Sequence, residues 1–234
     1  MELNFLGRGS GFNPAEGSTS AWFIENETLF LIDCGESVFR ILLERKILDK
    51  AARLNLFITH THSDHTGSLG SLILYAYMVK KIPVNFISGK KMDYLPGLKN
   101  LLEIYGLGEQ MYGFIDETSL DGTFSAFSAA RFVKTTHCEE LDSCGILFET
   151  SAGLVFYSGD LRDIDPILKL IDSGRVIDKI YVDTNSDSGP HHITLQTLNE
   201  KIPAAVKPKI RCMHLNNSRC INEARANGFT VVNC

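Results

Sequence analysis

The sequence lacks several features that would indicate its class directly. None of its six cysteines stands in a Cys-x-x-Cys pair, so neither a structural zinc knuckle nor the zinc deaminase signature is indicated. The N-terminus has no basic start followed by an apolar stretch, and the longest apolar run, residues 72–79, is too short to span a bilayer. We therefore expect a cytoplasmic protein with free thiols and no membrane partner.

A basic excess is also missing. The formal net charge is −5 and the pI is about 5.8. Lysines cluster only weakly, at Lys80-Lys81, Lys90-Lys91 and residues 207–211, and such short clusters are usually solvated faces. A nucleic acid held by diffuse electrostatics needs a more basic surface, so we expect no stable nucleic-acid partner.

Length and composition favour a compact globular chain. With 234 residues, 44% of them hydrophobic, and only seven prolines, the sequence predicts one globular domain over residues 1–234, or two tightly packed halves. No internal repeat, low-complexity segment or long linker interrupts it. Residues 7–20 contain four glycines and Pro14 and are predicted to form an irregular loop, which either decorates the fold or covers a site or a partner subunit.

Short β-type runs alternate with helical patterns in both halves of the chain. Strands are predicted at 3–6, 21–25, 29–32, 54–58, 84–87, 112–115, 123–127, 131–135, 146–149, 154–157, 179–182, 210–213 and 230–232. Helices are predicted at 36–48, 68–79, 90–105 (interrupted at Pro96-Gly97), 164–171, 194–200 and 217–226. Residues 112–135 are interpreted as an antiparallel run. This order predicts two sheets packed face to face, with helices on both outer faces.

Residues 59–67, Thr-His-Thr-His-Ser-Asp-His-Thr-Gly, are the richest stretch in possible metal ligands. His60, His62, Asp64 and His65 fall within six residues, in the pattern H-x-H-x-D-H, between a predicted buried strand and a predicted helix. Imidazoles with a carboxylate suit a borderline divalent ion such as zinc, and manganese or iron less well. The alternative is a polar loop that happens to be histidine-rich.

Further candidates follow apolar runs downstream. They are His137, Asp160, Asp183 and His214, each just beyond a predicted strand. Alone, each is an ordinary strand-end residue. However, five of the seven histidines fit one constellation, and the remaining pair, His191-His192, follows a polar loop at residues 185–190. This share of the histidines therefore favours a metal site over a polar loop without ligands.

In this order, the residues resemble the metallo-β-lactamase superfamily. The resemblance covers nearly the whole chain and includes Asp33 in Ile-Asp-Cys-Gly and Asp160 in Ser-Gly-Asp. It implies an α/β fold, the metallo-β-lactamase αβ/βα four-layer sandwich, with two divalent ions, expected to be zinc, with manganese as the alternative. By position it implies one ion held by His60, His62 and His137, a second held by Asp64, His65 and His214, and Asp160 bridging them. Asp33 is implied to orient a histidine ligand.

Within the superfamily, the chain looks most like the ribonuclease Z branch. His192-Ile193-Thr194 resembles the H-x-T element that supplies a catalytic histidine there. Two features depart from that branch. Only 22 residues separate His137 from Asp160, which leaves no room for the long arm that binds the tRNA elbow, and the element before H-x-T reads Val182-Asp183-Thr184-Asn185. In its compactness and acidity, the chain is similar to the phage-encoded anti-Pycsar cyclic nucleotide phosphodiesterases.

This resemblance implies hydrolysis of 3′,5′-cyclic nucleotides to 5′-monophosphates, by the P–O3′ cleavage that ribonuclease Z also performs. Asp64 is expected to position the attacking water and accept its proton, and His192 to protonate the departing 3′ oxygen. A homodimer is also implied. The alternatives are a dimeric tRNA 3′-endonuclease without the arm, a hydrolase of thioesters, lactams or lactones, and a non-catalytic metal-dependent sensory domain. His191 is either a solvent-exposed neighbour or a substrate contact, and Asn216-Asn217-Ser218 either contacts a nucleotide or caps the next helix.

Overall fold

The computed structural model describes residues 1–90, 92–187 and 189–234, and its strands form two six-stranded sheets. The first sheet contains β1 (Asn4–Gly7), β2 (Ser20–Glu25), β3 (Thr28–Ile32), β4 (Arg53–Phe57), β5 (Val84–Ser88) and β6 (Gly113–Asp116). The second contains β7 (Ala129–Thr135), β8 (Ser143–Thr150), β9 (Gly153–Tyr157), β10 (Ile177–Asp183), β11 (Ile210–Met213) and β12 (Thr230–Val231). In each sheet, the strands lie side by side in chain order.

Both sheets have the same topology. The first three strands of each pair antiparallel, and the strands from the third to the sixth pair parallel. Parallel neighbours need a crossover connection. The helices lie in these crossovers: α1 (Val38–Glu44), α2 (Ser63–Thr66), α3 (Leu69–Tyr75), α4 (Leu95–Ile104), α5 (Asp165–Asp172), α6 (Leu195–Lys201) and α7 (Ser218–Ala226). The prediction of a mixed α/β chain with two sheets is confirmed.

An aromatic layer joins the inner faces of the two sheets. Phe57 on β4 is fully buried, and its ring centroid lies 5.8 Å from that of Phe132 on β7 and 5.6 Å from that of Phe148 on β8. Because side chains alternate along a strand, Ile180 and Val182 on β10 face outwards and pack in a second buried cluster with residues of α5, α6 and α7. The second sheet therefore lies between the aromatic layer and a layer of helices.

Two hairpins follow the sequence prediction. Asn26 and Glu27 connect β2 to β3 with φ angles of 49° and 56°, the left-handed backbone that a two-residue hairpin turn requires. Strands β8 and β9 pair antiparallel across residues 151 and 152, with Gly153 at a φ of 126°. Only glycine adopts that conformation readily, so the second hairpin turns where the sequence predicts.

The predicted antiparallel run over residues 112–135 is wrong. Strand β6 pairs parallel with β5 in the first sheet, whereas β7 opens the second sheet. No strand forms at residues 123–127, where the buried ring of Phe127 instead packs against Phe23 and Phe30. An apolar segment that fills the gap between two sheets has the same composition as a strand, and its periodicity does not distinguish the two.

The predicted helix over residues 90–105 is also wrong in its first half. Helix α4 begins at Leu95, and Pro96 lies in its first turn rather than interrupting it, because proline needs no hydrogen-bond partner there. Lys91 of the predicted range lies outside the described residues. Within the described part of the chain, no helix has the length and hydrophobicity needed to cross a membrane.

Candidate metal centre

The candidate ligands converge because each lies beyond the carboxyl end of a strand. In the first sheet, Asp33 follows β3, and the segment from His60 to His65 follows β4. In the second sheet, His137, Asp160 and His214 follow β7, β9 and β11. Carboxyl ends of neighbouring parallel strands meet at one edge of a sheet, and the two sheets bring their edges together. All seven predicted ligands fall into two clusters there.

Three imidazoles and one carboxylate form the first cluster. His62 Nδ1 lies 3.0 Å from His60 Nε2 and 3.2 Å from His137 Nε2. Asp160 Oδ2 lies 3.8 Å from His60 Nε2 and 3.5 Å from His137 Nε2. The four ligand atoms therefore surround one point.

Two imidazoles and two carboxylates form the second cluster. His214 Nε2 lies 3.2 Å from Asp64 Oδ2 and 3.3 Å from Asp160 Oδ1. His65 Nε2 lies 3.4 Å and 3.2 Å from the same two oxygens. Asp160 thus presents Oδ2 to the first cluster and Oδ1 to the second, which is the arrangement of a bridging carboxylate.

The geometry fits divalent ions. Ligand atoms about 2.0–2.1 Å from a tetrahedral ion lie about 3.3–3.4 Å from one another, close to most separations in both clusters. In addition, His65 Nε2 and Asp160 Oδ1 are fully buried, and neither has a hydrogen-bond partner among the described residues, although they lie 3.2 Å apart. Buried polar atoms without partners are rare in folded proteins, so two that face the same point suit a shared cation.

Asp33 and Thr59 support the ligands from the first sheet. Asp33 is fully buried; its Oδ2 accepts a hydrogen bond from His65 Nδ1 at 2.9 Å, and its Oδ1 accepts one from the Thr59 amide at 2.8 Å. The Thr59 hydroxyl donates to Asp33 Oδ2 and accepts from His60 Nδ1 at 3.1 Å. Protons on Nδ1 leave Nε2 of His60 and His65 as free ligand atoms. The expected orienting role of Asp33 agrees with this geometry.

Asp183 performs the equivalent task from the second sheet, a role that the sequence reasoning missed. Its Oδ1 lies 3.2 Å from His214 Nδ1, and its Oδ2 lies 2.7 Å from His192 Nδ1 and accepts the Leu161 amide at 3.0 Å. One buried carboxylate therefore orients both a candidate ligand and the candidate acid. The signal was available, since Asp183 ends a predicted strand in the same way as Asp160 and precedes His192 by nine residues.

Electrostatics distinguish the two clusters. Burial, with some help from His65, lowers the pKa of His60 well below its usual value, and burial also lowers the pKa of His62 and His137. In the second cluster, burial opposes the charged imidazoles, but Asp160 outweighs it. Together with Asp183, that carboxylate raises the pKa of His214 to about 10, and with Asp33 it raises the pKa of His65 well above its usual value.

The carboxylates respond in the opposite sense. Burial would raise the pKa of Asp160, but His214 and His65 outweigh burial and hold it well below its usual range. Burial likewise opposes ionisation of Asp64, but the neighbouring imidazoles of His214 and His65 outweigh burial and lower its pKa. Both carboxylates are therefore negatively charged at neutral pH and draw positive charge into the second cluster, where protons on the imidazoles and a divalent cation compete for the same place.

The local backbone is shaped for close approach. Asp33 and His214 have φ angles of 61° and 54°, an uncommon conformation outside glycine that turns the chain sharply at each strand end. Gly35 packs so tightly that a Cβ atom would lie 1.9 Å from the backbone oxygen of Asp64. Only glycine lets the segment after β3 lie directly under the short helix α2 that carries Asp64 and His65.

A pocket of about 960 Å³ opens above the two clusters. His62, Asp64, His137, Asp160 and His214 line its floor. Its walls come from residues 10–12 and 138–141, and from residues of the segments that follow β10 and β11, including His191 and His192. This volume is within the usual range for small-molecule sites. Ser188, inside the predicted polar loop at 185–190, lies outside the described residues.

His191 and Asn217, whose roles the sequence left open, both make contacts within the protein. The backbone oxygen of His191 accepts a hydrogen bond from His137 Nδ1 at 3.0 Å, so this residue holds a candidate ligand through its main chain. The Asn217 side chain accepts the Cys220 amide at 2.9 Å and caps helix α7. Helix capping is therefore sufficient to account for Asn217.

The fold has clear relatives among solved structures. The metallo-β-lactamase-fold protein YhfI from Bacillus subtilis superimposes with a TM-score of 0.74 at 16% identity, covering 98% of this chain and 94% of that one. Human tRNase Z, short form, superimposes with a TM-score of 0.68 at 16% identity, covering 100% of this chain and 96% of that one. A diphosphatase of the PhnP family superimposes with a TM-score of 0.69 at 17% identity, covering 98% of this chain and 94% of that one. These likenesses show that the chain has the metallo-β-lactamase fold, and the two clusters form a candidate metal centre within it.

The chain belongs to the family described as anti-Pycsar protein Apyc1, whose model matches residues 1–233. The Apyc1 protein of Bacillus phage 010DV004 is 26% identical over an alignment that covers 93% of this chain and 90% of that protein. A ribonuclease Z from Shouchella clausii is 42% identical over 98 residues, but these cover only 40% of this chain and 31% of the enzyme. The predicted family is confirmed.

Proposed function

We propose that this chain is a binuclear metal-dependent phosphodiesterase that hydrolyses 3′,5′-cyclic nucleotides to 5′-monophosphates. The observation that carries the proposal is Asp160, whose two oxygens face two separate clusters of ligand atoms within one pocket. Two ions so placed suit in-line displacement at a phosphodiester. The family name, anti-Pycsar protein, supports a role against Pycsar, and we propose that this role is the removal of a cyclic-nucleotide signal of bacterial immunity.

The ligand assignment follows the two clusters. His60, His62 and His137 would hold one ion, Asp64, His65 and His214 the other, and Asp160 would bridge them. When bound, zinc or manganese ions supply a water of lowered pKa and positive charge for the phosphate oxygens. Imidazole and carboxylate ligands favour zinc.

Asp64 would orient the attacking water. It lies at the pocket floor, it is the more exposed of the two cluster carboxylates, and its lowered pKa keeps it ionised. An ionised carboxylate accepts a hydrogen bond from the water and takes its proton as the new P–O bond forms. The entering oxygen is thereby directed at phosphorus, opposite the departing 3′ oxygen.

His192 would act as the general acid. Burial lowers the pKa of this imidazole, but the Asp183 carboxylate at 2.7 Å from Nδ1 outweighs burial, and the net shift is upward. A raised pKa keeps the ring protonated near neutral pH, which an acid requires. Because Asp183 occupies Nδ1, Nε2 is the atom that would give its proton to the 3′ oxygen.

Ribonuclease Z-type cleavage of tRNA is the competing function, favoured by the 42% identity over 98 residues. The second sheet argues against it. Of the 22 residues between His137 and Asp160, the β8–β9 hairpin takes 15, which leaves too few for a long arm. The net charge of −5 also disfavours the many phosphate contacts that binding of a folded tRNA requires.

A substrate panel with metal analysis tests the proposal. Purified protein is expected to hold about two divalent ions per chain, and to release 5′-monophosphates from 3′,5′-cyclic nucleotides. A chelator should abolish turnover, and added zinc or manganese should restore it. The panel also contains a pre-tRNA and a lactam as controls. Turnover confined to either control would overturn the proposed function, and a chain without bound metal that no added metal activates would overturn the whole mechanism.

We also propose that the chain forms a homodimer through an apolar strip on helix α3 and the turn after it. Leu74 and Met78 are 39% and 57% exposed and are spaced by one helical turn. One turn earlier, a Cβ atom on Gly70 would lie 3.0 Å from the ring of Tyr105. Light scattering is expected to give twice the chain mass. The double variant Leu74→Glu, Met78→Glu is expected to be a folded monomer, because four buried charges would oppose association across a two-fold axis. A wild-type monomer at micromolar concentration would contradict this proposal.

A further inference from the structure

A hydrogen-bonded turn holds one loop beside the candidate metal centre. Residues 10–13 close a β-turn in which the Asn13 amide donates to the Ser10 carbonyl oxygen at 2.9 Å. Both ends of the turn bind the backbone of Leu215: its carbonyl oxygen accepts the Ser10 amide at 3.1 Å and Asn13 Nδ2 at 2.8 Å, and its amide donates to the Arg8 carbonyl oxygen at 2.8 Å. Leu215 directly follows His214, so the turn is attached to the site itself.

The tip of this turn lies beside Asp64. A Cβ atom on Gly11 would lie 3.0 Å from Asp64 Oδ2, so the glycine allows the tip to touch the proposed water-orienting carboxylate. The next residue, Phe12, is fully exposed, at 101% of its reference area, and it lines the pocket. A phenylalanine ring held in water by an anchored turn gains no burial energy from the chain that carries it.

We propose that Phe12 is the stacking wall for the nucleobase. This inference rests on the proposed function, since it assumes a nucleotide whose phosphate lies at the two clusters. In a 3′,5′-cyclic nucleotide, the base lies one sugar ring away from the phosphate, and Phe12 lies one residue away from the glycine that touches Asp64. Stacking on an aromatic ring contributes to binding of any base, because every base has a π face.

The other lining side chains do not offer this surface. Among the described residues that line the pocket, Phe12 is the only aromatic side chain apart from the histidines, most of which the metal centre already uses. Polar side chains of the lining also pair with groups of the protein, since Asp187 accepts hydrogen bonds from Asn216 at 2.8 Å and from Arg219. Phe12 is therefore the one apolar plane available to a base.

The test compares substrates with and without a base. Phe12→Ala is expected to raise KM for a 3′,5′-cyclic nucleotide by about 5- to 100-fold, with little change in kcat. The base-free control is methyl ribofuranoside 3′,5′-cyclic phosphate, for which wild type and Phe12→Ala should behave alike. Phe12→Tyr and Phe12→Trp should retain most of the affinity for the nucleotide. Since the ring is exposed, the melting temperature of Phe12→Ala should equal that of the wild type.

Each possible outcome either supports or overturns the stacking role of Phe12. A loss confined to the base-bearing substrate supports it; an equal loss on both substrates, or no loss on either, overturns it and leaves the proposed function standing. If wild type hydrolyses neither cyclic phosphate, the proposed function fails, and binding of a nucleoside 5′-monophosphate to the metal-loaded protein decides instead. Weaker binding by Phe12→Ala, with ribose 5-phosphate unaffected, supports stacking, and equal binding by both proteins overturns it.

Discussion

Replacing Asp64 by asparagine is expected to reduce kcat for cyclic-nucleotide hydrolysis by about 10³-fold or more. A positioned general base contributes about 10²–10⁴-fold by itself. Asp64 would in addition hold an ion, since its Oδ2 lies 3.2 Å from His214 Nε2 and 3.4 Å from His65 Nε2. The amide has the same shape but no negative charge, so it neither attracts a cation nor accepts a proton from water.

The measurement is steady-state release of 5′-monophosphate, with metal analysis of the same sample. Asp64→Asn is expected to keep the ion of the first cluster, whose histidines it does not touch, and to hold the second ion weakly. Asp187→Asn is the matched control, because it removes a carboxylate from the same pocket at a position that binds Asn216 and Arg219. Equal losses in the two variants would show that pocket charge, rather than the contact of Asp64 with the metal centre, determines the rate.

Replacing His192 by alanine is expected to reduce kcat by about 10²–10⁴-fold, the usual contribution of a general acid, while metal content stays at the wild-type level. His192 Nδ1 is 2.7 Å from Asp183 Oδ2 but 4.0 Å from Asp160 Oδ2, so its direct partner is a carboxylate outside the predicted ligand set. Its loss should therefore remove a proton donor without removing an ion. Loss of bound metal in this variant would instead identify His192 as a ligand.

The leaving group provides a sharper control for the same variant. A nitrophenolate leaves without being protonated, so His192→Ala should lose far less activity on a nitrophenyl phosphodiester than on a cyclic nucleotide. An equal loss on both substrates would refute the acid role.

Asp183→Asn should shift the pH dependence of the hydrolysis rate towards lower pH. The Asp183 carboxylate raises the pKa of His192, so the amide lowers it, and the alkaline limb of the rate profile moves to lower pH. Because Asp183 also binds His214 Nδ1, this variant should weaken metal binding, which His192→Ala should not.

Much of this candidate site was predictable from the sequence because its residues follow strand ends. The stretch from His60 to His65 contains four candidate ligands in six residues, and His137, Asp160 and His214 each come just after an apolar run. Residue type restricts the chemistry, since clustered imidazoles and carboxylates have few uses other than binding a cation. The structure brings the seven residues together in two groups, and their role as metal ligands stays a prediction.

The supporting residues were harder to predict, because their roles depend on distant contacts. Asp183 was recognised as a strand-end residue, but not as the partner of both His192 and His214, since those contacts span 9 and 31 positions. The same limit explains the wrong antiparallel run. Residues 112–115 and 131–135 have similar strand patterns, yet they lie in different sheets. Local pattern does not state which strand is the neighbour.

For this protein, the sequence by itself determined the kind of chemistry: which atoms can bind a cation, and the alternation of strands and helices that delivers them to strand ends. Tertiary structure alone decided the arrangement. It directed the two oxygens of Asp160 at different clusters, gave two histidines one buried carboxylate, and attached the turn carrying Phe12 to the residue after His214. The physical reason is that donor type is a property of each residue, whereas distances between donors depend on how two sheets pack.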